Sequence, residues 1–209
     1  MSAPAASDPP PRPAGAEALP SDLAALYPFE GRRFEQPGGI MHYLDEGPRE
    51  GPPVVCVHGN PTWSFYWRRL VLALRDRFRV IVPDHLGCGL SDKPQTGFSY
   101  RLSDHVENLG RLLDHLRVRD ATLVVHDWGG AIGMGAATRA PERASRFVVT
   151  NTAAFRSARI PLSIASVKIP GFGALAVRGL NAFARATTPR ATEKGLAPEV
   201  KRGLLFPYD

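Results

Sequence analysis

The sequence is short of cysteine. Its two cysteines, Cys56 and Cys88, lack metal-ligand spacing, which excludes a disulfide framework and a cysteine-based zinc site. They read as reduced thiols, buried or half-buried, of a cytoplasmic protein. Long apolar runs are also missing. None reaches the roughly 18 residues a membrane helix needs, so no transmembrane segment is expected. The first residues have neither a basic start nor a continuous apolar stretch, which argues against a secretory leader. There is no internal repeat and no nucleic-acid motif, so the formal net charge of +6 does not point to nucleic acid. Histidine runs out early, for none follows His126.

What is present is globular. The chain has 209 residues, of which 44% are hydrophobic and 22% charged, enough for one domain with a real core. Residues 1–22 are rich in Pro and Ala and read as a disordered tail. Residues 23–154 read as an α/β core and residues 155–209 as a helical lid. Much of the surplus charge lies in that last segment, at residues such as Arg156, Arg159, Lys168, Arg178 and Arg202. A solvated helical face explains it simply; contact with an acidic partner or membrane surface is the other reading.

Periodicity supplies the architecture. Arg32–Gln36 and Gly39–Asp45 read as antiparallel strands joined by a Pro-Gly-Gly turn. Pro53–Val57 and Arg79–Pro83 are continuous apolar runs, as expected of strands buried on both faces. A helix is predicted over Trp63–Arg75. Another is predicted over Leu102–Arg117, from the apolar positions Leu102, Val106, Leu109, Leu112, Leu113 and Leu116. Thr122–Val125 is the next strand, followed by a helix over Ala131–Arg139 and a strand over Arg146–Thr150. This alternation predicts a mostly parallel, doubly wound sheet with right-handed crossovers. After Asn151 it stops, giving several short helices punctuated by Pro161, Pro170, Pro189 and Pro198. An insertion of that kind is commonly a lid over an active site.

The chemistry gathers at His126-Asp127-Trp128-Gly129-Gly130, directly after a strand. Small residues between a strand and a helix mark a nucleophile elbow, here with Asp at its tip. A carboxylate nucleophile forms an ester that a general base must later help to hydrolyse. The loop His58-Gly59-Asn60-Pro61-Thr62 is placed to supply an oxyanion-hole N–H, and the Asn60 amide adds a donor. No catalytic role is assigned to the loop from Asp84 to Asp92. His58 is expected to brace its own loop, and His126 to pack sideways under the elbow.

Taken together, His58-Gly-Asn-Pro-Thr62 with Tyr66-Trp67-Arg68, the run from Gly87 to Pro94, and His126-Asp-Trp-Gly-Gly130 resemble the haloalkane dehalogenases of the α/β-hydrolase superfamily. Within them the chain is most similar to the third subfamily, which includes the β-lactone decarboxylases of bacterial long-chain olefin biosynthesis. Asn151–Phe155, Gly179–Ala184 and Pro207-Tyr208-Asp209 resemble the decarboxylase branch in particular. The resemblance implies an α/β-hydrolase fold with a helical lid. It implies Asp127 as nucleophile, and Asn60 and Trp128 as the pair whose side-chain N–H groups hold the leaving anion. It implies no cofactor and no metal, a small apolar substrate with an alkyl chain, and room for protein partners of a biosynthetic complex. An indole and an amide are neutral donors, suited to a soft or delocalised anion in an apolar cleft.

The family's base His and triad acid lie on late loops with no counterpart in this sequence, so the sheet is expected to lack its C-terminal strands. Three readings follow. One is a cis-β-lactone decarboxylase releasing alkene and carbon dioxide, which the lid favours. The second is a haloalkane dehalogenase. The third is an inactive truncated fragment. An epoxide hydrolase, which also carries an Asp elbow, fits poorly with Asn60 and with Tyr208 as the lid's single tyrosine.

Overall fold

Apolar strands bounded by Gly and Pro, alternating with amphipathic helices, can bury both sheet faces only as a layered α/β structure. The structure is a computed structural model that describes residues 19–153, 184–185 and 195–208. Among these, a six-stranded sheet has the order β1-β2-β4-β3-β5-β6. Strands β1 (Arg32–Gln36) and β2 (Gly39–Glu46) form an antiparallel hairpin. Strand β2 pairs antiparallel with β4 (Arg79–Pro83). From there the sheet is parallel through β3 (Pro53–Val57), β5 (Ala121–Asp127) and β6 (Ala144–Thr152).

Alternation along each strand sorts the core into two layers. Val55, Val57, Ile81, Leu123 and Val125 pack against helices α3 (Leu102–His115) and α4 (Trp128–Arg139). Val54, Cys56, Val80, Val82 and Val124 face Trp63, Phe65, Trp67 and Val71 on the other side. Cys56 is wholly buried there. The spacing in α3 places Val106, Leu109, Leu112 and Leu113 inside, while Leu102 at the first turn stays exposed.

The helix predicted over Trp63–Arg75 divides into a 3-10 turn, Ser64–Trp67, and helix α2, Arg68–Leu74. Trp63, Phe65 and Trp67 are all buried. Trp63 precedes the turn in extended backbone, so its ring is placed independently of the helical residues that follow.

Strand β6 ends the described sheet and leaves Phe147, Val148 and Val149 exposed. Helix α1 (Ser21–Leu26) lies across the expected boundary at residues 22 and 23. Most of residues 155–209, the segment expected to be a lid, including Asp209, is outside the described residues. Its described part contains helix α5 (Pro198–Leu205) and a 3-10 turn, Phe206–Tyr208. Helix α5 is tied to the core by the Trp63 indole N–H, which donates to the Gly203 carbonyl at 3.0 Å. Among the described residues no helix is long and apolar enough to cross a membrane.

Candidate active site

The bend between β5 and α4 is tighter than the sequence predicts. The strand runs to Asp127 and the helix starts at Trp128, rather than ending at Val125 and starting at Ala131. Asp127 has φ 51° and ψ −128°, a conformation that strains any residue with a side chain. Gly129 lets the helix end press on the neighbouring loop: a Cβ there would sit 2.1 Å from the Val57 carbonyl oxygen. The Thr152 hydroxyl donates to the Asp127 carbonyl and fixes the strand end to β6.

The loop after β3 meets the elbow head-on. A Cβ at Gly59 would lie 2.2 Å from Asp127 Oδ1, so no other residue leaves room for the carboxylate. Beside it, the Asn60 backbone N–H donates to Asp127 Oδ1 at 2.9 Å. Asp127 is half-buried, and Trp128 is 49% exposed. Among the described residues, no hydrogen bond engages the Asn60 side-chain amide or the Trp128 indole N–H. The structure thus brings Asp127, Asn60 and Trp128 to one place at the C-terminal ends of β3 and β5, with two neutral donors uncommitted.

The histidines around this place are structural. His58 donates from Nδ1 to the Gly59 carbonyl at 2.7 Å and accepts the His85 backbone N–H on Nε2 at 3.0 Å. That is the loop bracing expected of it, and burial lowers its pKa. His126 stacks on Tyr66 with ring centroids 4.7 Å apart, and burial lowers its pKa as well. The Tyr66 phenol is raised, chiefly by burial and then by the charge of Asp127.

The loop after β4 has a role the sequence did not disclose. Asp84 is fully buried. Its Oδ1 accepts the Ser64 N–H at 2.6 Å, and its Oδ2 accepts from His42 Nδ1 at 2.9 Å and the Leu90 N–H at 3.0 Å. Burial works to raise its pKa; the hydrogen bond and charge of His42, with the Leu90 N–H, outweigh burial and hold it below its usual value. Asp84 therefore pins β2, the 3-10 turn and its own loop together.

Between this loop and the elbow lies a cleft of about 190 Å³. Its walls include Asn60 and Trp128, but not Asp127 itself, along with His85, Cys88, Tyr100 and His105. The Cys88 thiol is pushed up to about 11 by burial, so it is no ready nucleophile. Sequence reading missed these last four as wall residues. The available signal was position, since the carboxyl ends of parallel strands are where such sheets bind ligands. Among the described residues, no group of three or more His, Cys, Asp or Glu is arranged to hold a metal ion.

An aspartate-tipped elbow facing a backbone donor, on a sheet of this order, defines a class. The sequence matches the alpha/beta hydrolase fold family over residues 52–181, and the chain belongs to that family. Among curated relatives it is 50% identical over 166 residues to a cis-3-alkyl-4-alkyloxetan-2-one decarboxylase of Shewanella oneidensis, covering 77% of this chain and 52% of the relative. It is 46% identical over 127 residues to haloalkane dehalogenase 2 of Mycobacterium tuberculosis, covering 61% of this chain and 43% of the relative. Among solved structures, the haloalkane dehalogenase DatA of Agrobacterium tumefaciens C58 superposes with a TM-score of 0.76 at 29% identity, over 86% of this chain and 62% of that one. The chain spans about half the length of the curated relatives it matches.

Proposed function

We propose that Asp127 is a nucleophile toward apolar alkyl substrates, and that the whole protein is a cis-β-lactone decarboxylase. The observation that carries this reading is the Asn60 N–H on Asp127 Oδ1 at 2.9 Å, at the tip of a strained strand-to-helix bend. That contact orients one oxygen and leaves the other free to attack. The similarity to the Shewanella decarboxylase supports the substrate class.

In the reaction so read, Asp127 attacks the ring carbon that bears the lactone oxygen. A carbon–oxygen ester bond to Asp127 forms, the ring carbon–oxygen bond breaks, and its electrons stay on a newly freed carboxylate. The Asn60 amide and the Trp128 indole N–H receive that negative charge. The bond to the carboxylate carbon then breaks. Its electron pair becomes the alkene and expels the Asp127 carboxylate, with carbon dioxide leaving. Nothing but the lactone is consumed, and no cofactor takes part. In this reading residues 155–209 are the lid, the setting is the cytoplasm, and protein partners of a biosynthetic complex have room to hand over the substrate.

A second reading has its own support. The same two neutral donors suit a halide, and a dehalogenase relative shares 46% identity. In that case the alkyl ester on Asp127 must be hydrolysed by water, which needs a general base.

Both readings are tested through the ester. Intact-mass spectrometry after incubation with a 1-haloalkane is expected to show one alkyl group added to the wild type and none to Asp127→Asn. Absence of the adduct from a chain with a folded circular dichroism spectrum would overturn the nucleophile assignment. Products from a cis-β-lactone then separate the readings: alkene and carbon dioxide for one, neither for the other.

A further inference from the structure

Arg68 closes the Tyr66-Trp67-Arg68 motif, yet nothing in the chemistry proposed for Asp127 uses it. It opens helix α2 and is only 8% exposed. Its guanidinium lies over the Phe65 ring, 4.2 Å from the centroid, and its Nη1 donates to the Phe65 carbonyl at 3.0 Å. A guanidinium keeps its charge at any ordinary pH, so burying one is costly unless a carboxylate comes with it.

Two other arginines show how this chain solves that problem. Arg79 Nη1 donates to the Leu116 carbonyl at 3.2 Å, while its Nε and Nη2 each donate to one oxygen of Asp45 at 2.9 Å. Arg143 repeats the pattern. Its Nη1 donates to the Ala136 carbonyl at 3.3 Å, its Nε to Asp114 Oδ1 at 3.0 Å and its Nη2 to Asp114 Oδ2 at 2.6 Å. Both side chains are 13% exposed. In each, one nitrogen anchors the group to backbone and the side-on fork of Nε and Nη2 takes a carboxylate.

Arg68 has the same anchor and the same fork. Among the described residues, no hydrogen bond engages its Nε or Nη2 and no carboxylate forms an ion pair with it. These two nitrogens are not sealed, for neither is among the unpartnered polar atoms that lack surface. The pKa values move accordingly. The hydrogen bond to Asp45 raises that of Arg79, whereas burial and then the like charge of Arg69 lower that of Arg68. Arg68 is not a wall of the cleft beside the elbow.

We propose that the Nε–Nη2 edge of Arg68 is a receptor for one carboxylate group, whether of a small organic acid or of an acidic side chain. One carboxylate balances one guanidinium, and its two oxygens match the two parallel N–H bonds of the fork. A neutral amide of the same shape lacks the charge, and a halide lacks the second oxygen. The receptor stands whether or not Asp127 is a nucleophile.

The test uses the whole chain labelled with 15N and 13C, with propionate as probe and propionamide as its neutral counterpart. Arg79 and Arg143 are internal standards, because their forks already hold carboxylates. In chloride buffer the Arg68 Hε resonance is expected upfield of theirs. As propionate replaces chloride at constant pH and ionic strength, it should move downfield along a saturating curve while theirs stay in place. Propionamide should bind about tenfold less avidly or worse. Arg68→Lys keeps the charge without the fork and should weaken propionate binding about tenfold, read at the Trp67 indole. An Arg68 Hε that starts downfield, ignores propionate and shows a through-hydrogen-bond coupling to an Asp or Glu carboxyl carbon assigns the carboxylate to the chain itself and supports the receptor. A response that is linear in propionate, equal for propionamide, or absent without such a coupling overturns it. The wild-type readings decide the matter even if the variant does not fold.

Discussion

Asp84 and Asp127 stand at the C-terminal ends of β4 and β5, the strands on either side of β3. They are the same residue type in corresponding places, set in opposite surroundings. Asp84 is sealed from solvent and accepts the Ser64 and Leu90 amides and the His42 imidazole. Asp127 is half-buried and accepts the Asn60 amide alone among the described residues. A carboxylate whose lone pairs are matched serves as a strut. One with an oxygen left open, held in a strained backbone, can serve as a reagent. The difference lies in the donors each loop aims at its aspartate.

The contrast breaks most visibly at the strut. Asp84→Ala strands the Ser64 and Leu90 amides and the His42 ring without their acceptor. It should lower the unfolding free energy by about 3–5 kcal/mol, measured by urea denaturation. Acid should imitate it. The folded-state pKa of Asp84 lies below its unfolded value. Its stabilisation is therefore complete above the unfolded carboxylate value of about 3.9, and is lost as pH falls through the lower folded value. Denaturation midpoints of the wild type and Asp84→Asn are expected to converge across that window; a constant gap would contradict the assignment.

At Asp127, the proposed nucleophile, crowding is the way to break the arrangement. Gly59→Ala puts a methyl where the Asp127 carboxylate now lies. Displacing a reacting group by about 1 Å is enough to slow its attack about 100-fold, and the rate of alkyl-adduct formation by mass spectrometry reads it directly. Asp127→Gly should move stability the other way. It relieves the backbone held at φ 51° and is expected to gain about 1 kcal/mol while abolishing the adduct. The smallest effect is on the surface, where Glu107 and Arg111 pair one turn apart on α3. Arg111→Ala should cost about 0.3–0.5 kcal/mol and vanish in high salt, marking how little an open ion pair gives beside the Asp84 hub.

Much of this could be read in the chain. Pro53–Val57 and Arg79–Pro83 match the structure to the residue, because an apolar run closed by Pro and Gly leaves a strand little freedom at either end. That Asp127 stands at a strand-to-helix bend was legible in the small residues that follow an apolar strand; the pairing of Asn60 and Trp128 with it came from the family resemblance and not from spacing. The start of α4 was less legible. Gly129 and Gly130 are poor helix formers by propensity, yet the helix includes them, since only a residue without Cβ fits against the Val57 carbonyl. Propensity is local and that contact spans the sheet. The Asp84 hub was hidden for the same reason: its donors come from residues 42, 64 and 90, and no spacing rule joins them.

Because Gly129 brings the backbone of α4 against the end of β3, the aspartate tip and the Asn60 amide ride on one platform. Motion in whatever covers them would change which molecules are admitted, without moving the Asp127 carboxylate relative to the Asn60 N–H that orients it. Admission and bond-making are thus separable traits. A protein engineer can rebuild the roof for a different guest and leave the anvil untouched.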